Sequence, residues 1–514
     1  MAKQPRTVII IGAGIGGLAT AALLAKAGLQ VEIHEARHQV GGRAGQIKTK
    51  GFTFDTGPSW YLMPEIFEHF FGLFGQDISQ VLKLERLNPA YKVFSDDHKP
   101  ITIYANEAKD TKTFEAIEKG AGAKLHDYLE RAQETYKLAT ESFLFTSFDK
   151  PLRLAKPSLL PYAPKMVKAA LQPIYKHVSK YFTNPLLKQI MEYPMVFLGT
   201  SPYEAPALFQ LMSHMDFRQG VFYPQGGLYT VIEAIANIAK DQGVKVHLNS
   251  SVQKIMVKNG HATGVKLADG NIKKADLVIS NSDLHFTETS LLPAEAQSYP
   301  AKYWQKKQAS PSAILMYLGV KGSLPELDHH NLLFTKDWQQ NFGAIFNDKT
   351  WPEPASLYIS KPSQTDPGVA PAGYENLFVL VPIQADPTIT DKQANHYADK
   401  YLEQIEQMTG ITDLRQRIVY KKIYGPQYFA NELHSWQASL LGMSHKLSQS
   451  ALFRPHVHSK KVSNLYYVGA NSMPGIGLPM CLIGAELVYK QLAGDDSSTS
   501  IDKVQPIEGG HETV

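Results

Sequence analysis

Residues 8 to 25, VIIIGAGIGGLATAALLA, form an uncharged run. Membrane spans begin at roughly 18 consecutive apolar residues, so the run is a span, a cleavable signal, or a strand and helix buried in an enzyme. Val8 to Ile11 are four β-branched residues, which suit a strand covered on both faces. Glycines follow at 12, 14, 16 and 17, and each weakens a helix interior by about 1 kcal/mol relative to alanine. Helical composition starts only near Gly17, as LATAALLAKAG. Thr20–Ala22 could pass for a signal cleavage site. The next segment argues against that: LQVEIHEA is a second strand ending in Glu35, 23 positions beyond Gly12.

Strand, G-x-G-x-x-G, helix, strand and terminal acid together form a dinucleotide-binding fingerprint. Gly12 permits the tight turn, Gly14 lets the backbone approach a pyrophosphate, and Gly17 packs helix on strand. The helix N-terminus offers amides to the phosphates, and Glu35 accepts from a ribose hydroxyl. The alternative is a glycine turn with a purely structural role, which the surrounding context disfavours. The run is read as buried.

At 514 residues the chain can bury a large core and is expected to hold two domains. A formal charge of +4 is too small to indicate nucleic-acid binding. The one cysteine, Cys481, excludes an internal disulfide and a Cys-rich metal site. No other uncharged run reaches spanning length and no targeting signal stands out. The expected location is the cytosol, or the cytoplasmic face of a membrane as a peripheral protein. Residues 493–514 lack apolar periodicity and read as a flexible tail.

Charge is uneven. Between Lys150 and Met191 stand seven lysines (150, 156, 165, 168, 176, 180 and 188) and Arg153, with no Asp or Glu. Apolar and aromatic stretches interleave: LLPY, MVKAALQPIY, YFTNPLL. A solvated face is one reading. A membrane-surface patch is the other, because such mixtures suit the headgroup boundary, and each cation near an anionic leaflet adds about 1 kcal/mol.

After Glu35 the chain does not continue into the β-α units of an NAD-dependent dehydrogenase. It gives a Gly-Gly-Arg turn and a short strand ending FDTGPS. Arg43 is suited to pair with a pyrophosphate oxygen, and Gly41, Gly42 and Gly57 allow close backbone approach. No second strand–GxGxxG–helix unit follows, which disfavours a reductase binding both FAD and NAD. FYPQGGLYTVIEAIANIAKDQGVKVHLNSS opens a second stretch, a helix and strand leading into a meander with turns at NG and DG. NLYYVGANSMPGIGLPMCLIGAELVYKQL is a third: strand, Gly/Pro loop and helix, with amides available to a flavin oxygen that gains charge on reduction.

GGRAGQ, GFTFDTGPS, YPQGGL, SLYISKPSQTDPGVAPAGYENLFVLVP and NLYYVGAN-x-MPGIGLPM resemble the bacterial CrtI-type phytoene desaturases, a carotenoid desaturase family that includes C30 dehydrosqualene desaturases. The resemblance runs from about residue 6 to about 492. It implies FAD, membrane association, and insertion of double bonds into an acyclic polyene. It also implies an α/β fold: a GR2-type FAD-binding Rossmann-like domain, an inserted mixed-sheet substrate domain, and a helical membrane-contacting cap. One departure stands out. The family's C-terminal loop usually reads V-G-A-x-T-H-P-G, and Met473 occupies the place of the histidine. A thioether relays no protons, so a mechanism needing that histidine is in doubt.

Taken together, these readings place FAD on Gly12, Ala13, Gly14, Gly17, Glu35, Gly42, Arg43, Gly57, Pro58, Val252, Gly469, Pro479 and Met480. The FAD domain is expected from 1–90, 220–290 and 455–492, and the substrate and membrane-associating domain from 91–219 and 291–454. The flavin carries the chemistry. If a protein base takes part, Asp149 with Arg153 are the candidates, with surface or membrane-contact roles as the alternative. His329, His330, His456 and His458 lack companion ligands at metal spacing and read as surface loops, so no metal site is expected. Transferring a forty-carbon polyene from lipid to water costs on the order of 30 kcal/mol, so the substrate must pass directly from membrane to tunnel. That favours the membrane reading of the basic segment 150–191. The expected activity is desaturation of phytoene or a related C40 polyene, with oxygen or a quinone as final acceptor. A C30 dehydrosqualene (diapophytoene) desaturase, a redox-neutral polyene isomerase, a flavin amine or porphyrinogen oxidase and a non-enzymatic lipid carrier are the alternatives. An oligomer is left open.

Overall fold

The computed structural model describes residues 6–96, 98–147 and 162–507. Asp149 and Arg153 lie outside them, as do Lys150 and Lys156. Strand β1, Thr7–Ile11, is buried from Val8 onward and forms the middle of a five-stranded parallel sheet. Strand β2, Gln30–His34, lies on one side of it, with Lys245–His247 beyond; Leu277–Ser280 and then Leu465–Tyr467 lie on the other. Strand order therefore reverses at β1. A crevice opens there at the carboxyl ends of the strands, where open α/β sheets receive ligands.

Helix α1, Ile15–Lys26, links β1 to β2 and begins two residues ahead of Gly17. Every residue from Ile15 to Leu24 is buried, because helices Tyr229–Asp241 and Leu478–Ala493 pack against it. No helix among the described residues is long and apolar enough to cross a membrane. A meander of Val252–Lys258, His261–Leu267 and Ile272–Lys274 turns at Asn259–Gly260 and Asp269–Gly270.

The second sheet has seven strands in the order Ile418–Tyr424, Ser312–Lys321, Tyr374–Ile383, Leu357–Ser360, His330–Phe334, Tyr91–Ser95 and His98–Ile103. It is mixed: His330–Phe334 and Tyr91–Ser95 run parallel, and the other pairs are antiparallel. Side chains alternate with the period of 2 that a strand imposes. Ile314, Met316, Leu318, Leu377, Val379 and Val381 join the core beneath helix Asp391–Thr409, while Leu315, Phe378 and Leu380 face the crevice. Helices Glu107–Ile117, Ala121–Ser142, Ala163–Leu171, Ile174–Val178 and Pro185–Glu192 form a cap.

The C-terminal segment differs from the loose tail expected. Residues 494–507 run back over the nucleotide-side helices, with the Ile501 amide on Glu486 Oε1 at 2.7 Å and the Ile507 amide on Ala27 O at 3.0 Å. Buried Lys490 donates to Ser497 O and Thr499 O, and Ile501 is 7% exposed. Backbone hydrogen bonding to buried polar groups holds the segment, together with Ile501, Val504 and Ile507, scattered apolar residues that pack on the core.

Candidate functional site

The carboxyl ends of β1, β2 and Leu277–Ser280 open into a cavity of about 590 Å³ that extends between the seven-stranded sheet and the cap. At its nucleotide end Gly12 adopts φ 94°, a conformation that strains residues with a side chain. Its amide bonds His34 O at 2.8 Å, tying the turn to β2. Ala13 and Gly17 do not face the cavity; they shape it. The Ala13 amide donates to Glu35 Oε2 at 2.7 Å, and the Arg37 amide donates to Oε1 at 2.9 Å. The buried carboxylate is thereby fixed at the cavity edge, with lone pairs left for a ribose hydroxyl.

Gly14, Gly42, Gly57 and Pro58 continue this wall. A Cβ on Gly57 would lie 2.3 Å from Arg43 O, so the two turns approach as closely as glycine permits. Arg43 Nη2 donates to Ser435 Oγ at 2.5 Å and stands 3.7 Å from Asp283, while its Nε is buried without a hydrogen-bond partner. An unpaired donor beside a crevice is costly unless an acceptor arrives. Val252 starts its strand at the same rim, 6% exposed.

The roof is the loop from Gly469 to Gly477. Arg454, 1% exposed, clamps it by donating to Ala470 O at 2.6 Å and to Met443 O at 3.3 Å. Met473, in the place of the family histidine, is 1% exposed, and its amide bonds Pro455 O at 3.0 Å. The imidazole beside this loop comes from elsewhere in the chain. A Cβ on Gly475 would lie 2.3 Å from His445 Nε2. His445 Nδ1 donates to Leu198 O at 3.2 Å, and burial and then Arg454 hold the ring well below the ordinary histidine value, hence neutral. Helix Leu478–Ala493 starts after Gly477 with no side-chain cap, and Pro479 and Met480 in its first turn line the cavity. Its first amides stay available to an anionic oxygen.

The far limb is different in kind. Trp60, Phe197, Phe334, Phe342 and Leu380 are among its walls. Among the described residues, the seven-stranded sheet and the cap contribute no Asp, Glu, Lys or Arg to the lining. His329 and His330 are not in a surface loop, as expected from sequence, but at the start of strand His330–Phe334, 3% and 0% exposed. His330 stacks on Trp60 at 4.5 Å, and its Nδ1 meets the Tyr358 hydroxyl at 2.6 Å. Their neighbourhood is aromatic, and desolvation lowers both imidazoles far enough to keep them neutral.

Four contributors escaped the sequence reading: Asn281, Asp283, Ser435 and His445. Asn281 Nδ2 donates to Gly12 O, and Asp283 Oδ2 accepts from Asn471 Nδ2 at 3.0 Å, joining the floor to the roof. Both follow directly on strand Leu277–Ser280, and polar residues at the carboxyl end of a strand beside a switch point are the signal that could have found them. Ser435 and His445 carry no local pattern.

A glycine cradle, an unpaired guanidinium nitrogen and an uncapped helix start together fit a dinucleotide flavin. A model of the family described as flavin containing amine oxidoreductase matches residues 15–486. The chain belongs to this family. It is 38% identical over 488 residues to a carotenoid 3,4-desaturase of Haloarcula japonica, covering 95% of this chain and 98% of that one. It is 32% identical to a zeta-carotene-forming phytoene desaturase of Myxococcus xanthus, covering 95% and 94%. Putrescine oxidase bound to putrescine superposes with a TM-score of 0.61 at 15% identity, covering 94% and 97%, and shares the fold. The protein is therefore an FAD-dependent oxidoreductase of the CrtI-type carotenoid desaturase family, acting on CH–CH groups.

Proposed function

We propose that this enzyme desaturates an acyclic C40 carotenoid or its precursor, phytoene or a more unsaturated relative. The observation that carries the reading is the far limb of the cavity, whose walls from the sheet and cap hold no charged residue among those described. An amine substrate would need a counter-charge there, whereas a hydrocarbon needs its absence. Higher identity to the 3,4-desaturase than to the phytoene desaturase favours a bond toward the end of an already conjugated chain.

Bound FAD would supply the hydride acceptor and pass electrons on to oxygen or a quinone. Residues 1–90, 220–290 and 455–492 are assigned to holding it, with Gly12, Gly14, Arg43, Gly57 and the start of helix Leu478–Ala493 around the pyrophosphate and ring, and Glu35 on the ribose. The sheet and the cap hold the chain extended and exclude water. Fixing the reacting carbon in place is worth up to roughly 7–11 kcal/mol in model reactions. Loss of hydride leaves a cation spread over the conjugated chain, acidic enough that a weak acceptor takes its proton. Substrate enters from the cytoplasmic face of a membrane, which the basic helix Ala163–Leu171 contacts.

The test supplies FAD-loaded enzyme with phytoene, a conjugated C40 carotene and a C30 precursor in liposomes. The expected product from a C40 substrate is lighter by two hydrogens per new double bond and absorbs further to the red. An isomer of unchanged mass would indicate an isomerase instead, and turnover confined to the C30 precursor would indicate the shorter-chain enzyme.

A further inference from the structure

On the face of the parallel sheet at its Lys245–His247 edge lies a side-chain cluster of which only His34 also borders the cavity. His34 and His247 are directly paired across the parallel strands, and Glu32 is two residues before His34, on the same face. Their rings stack at 4.8 Å and 15°. One imidazole nitrogen of each and a Glu32 oxygen lie within 4.8 Å of one another. We propose that Glu32, His34 and His247 bind one divalent transition-metal ion, with water completing the shell.

The donor set is two imidazoles and one carboxylate, which suits zinc, cobalt or nickel and not magnesium or calcium. Spacing supports it. Donors about 2.1 Å from a tetrahedral ion stand about 3.4 Å apart, and His247 Nε2 lies 3.4 Å from Glu32 Oε2. An independent observation points the same way: His34 is 2% exposed, yet its Nε2 has no hydrogen-bond partner. His34 Nδ1 is engaged by Ser250 Oγ at 2.8 Å, the type of outer hydrogen bond that fixes a ligating ring. Lys245 competes for the acid at 3.6 Å, but through Oε1, which leaves Oε2 toward His247. Asp269 and Lys273 also act on His34, with opposite signs. The site braces β2 where it presents the ribose acid, because the Glu35 amide bonds His247 O at 2.9 Å.

The experiment titrates tag-free, FAD-loaded enzyme with Zn²⁺ by calorimetry and with Co²⁺ by its visible ligand-field bands. One equivalent is expected, lost in His247→Ala and in Glu32→Gln, and severalfold tighter in Lys245→Ala. His247 meets Glu35 through its main-chain oxygen, which alanine keeps, and its side chain is 40% exposed, so its replacement leaves folding and flavin content intact. No stoichiometric Zn²⁺ uptake, or uptake unchanged in His247→Ala, overturns the proposal without touching the desaturase reading.

Discussion

The Cβ that Gly17 lacks would stand 2.2 Å from the carbonyl oxygen of Gly12. No rotamer relieves that contact, because both partners are main chain. Helix α1 must therefore back away from β1 in Gly17→Ala, opening the turn that would meet the pyrophosphate. The expected outcome is a colourless protein with lower thermal stability, read from the flavin-to-protein absorbance ratio. Gly72→Ala is the control: nothing lies within 4 Å of its Cβ, and the residue is helical and exposed. It should keep its flavin and gain up to about 1 kcal/mol of stability.

Arg43 separates a phosphate clamp from a surface charge. Lysine keeps the charge but loses the planar fork and the orphaned Nε. Hydrogen bonds to charged groups are worth about 1.5–3 kcal/mol, so Arg43→Lys should weaken FAD about 10- to 100-fold. Flavin fluorescence on dilution measures it. An unchanged dissociation constant would remove Arg43 from the cofactor site.

Asp216 gives a pH signature. It accepts from Tyr91 and Tyr193 at 2.8 Å each, and burial pushes its carboxyl up to about 7. The unfolded chain gives up this proton near the ordinary carboxylate value of about 4. Between those values the folded state binds more protons, so stability falls as pH rises toward 7 and levels off above it. Asp216→Asn cannot ionise. The stability of the variant relative to the native enzyme should rise between pH 5 and 7 by a few kcal/mol, measured by urea titration. A flat difference would show that the carboxyl ionises normally in the fold.

How much of this was legible in the sequence follows from the range of the interactions. The turn at Gly12–Gly17, the acid at 35 and the Gly-Gly-Arg turn are local, so spacing alone located the floor of the cavity. The alternation in Ser312–Lys321 and Tyr374–Ile383 is hidden, because both faces are buried and nearly every position is apolar. Which residues face the cavity emerges only from packing. Contacts between distant parts of the chain left no trace either: Arg43 with Ser435, His445 with Leu198 and Gly475, and the tail bonded to Glu486 and Ala27. His329 and His330 were misread for the same reason, since a histidine pair looks polar until an aromatic wall desolvates it.

The basic segment narrows, in the described residues, to one helix. Ile174, Val178, Leu186 and Ile190 are buried within the cap, whereas Ala163–Leu171 buries none of its residues. Val167 is 57% and Leu171 69% exposed, with Lys165 and Lys168 exposed on the same short helix and Tyr162 at its start. Apolar side chains at that exposure gain on entering an interface, and lysines beside them favour an anionic one. Val167→Glu with Leu171→Glu replaces the apolar contacts by charges of the wrong sign, and it should abolish co-sedimentation with anionic vesicles while flavin content and melting temperature hold. Lys165→Gln with Lys168→Gln should weaken it and reduce its salt dependence. Activity on substrate in detergent should survive both changes, because the helix buries nothing. Activity on substrate supplied in vesicles should fall with binding. Equal sedimentation of native and doubly substituted enzyme would show that this helix makes no membrane contact.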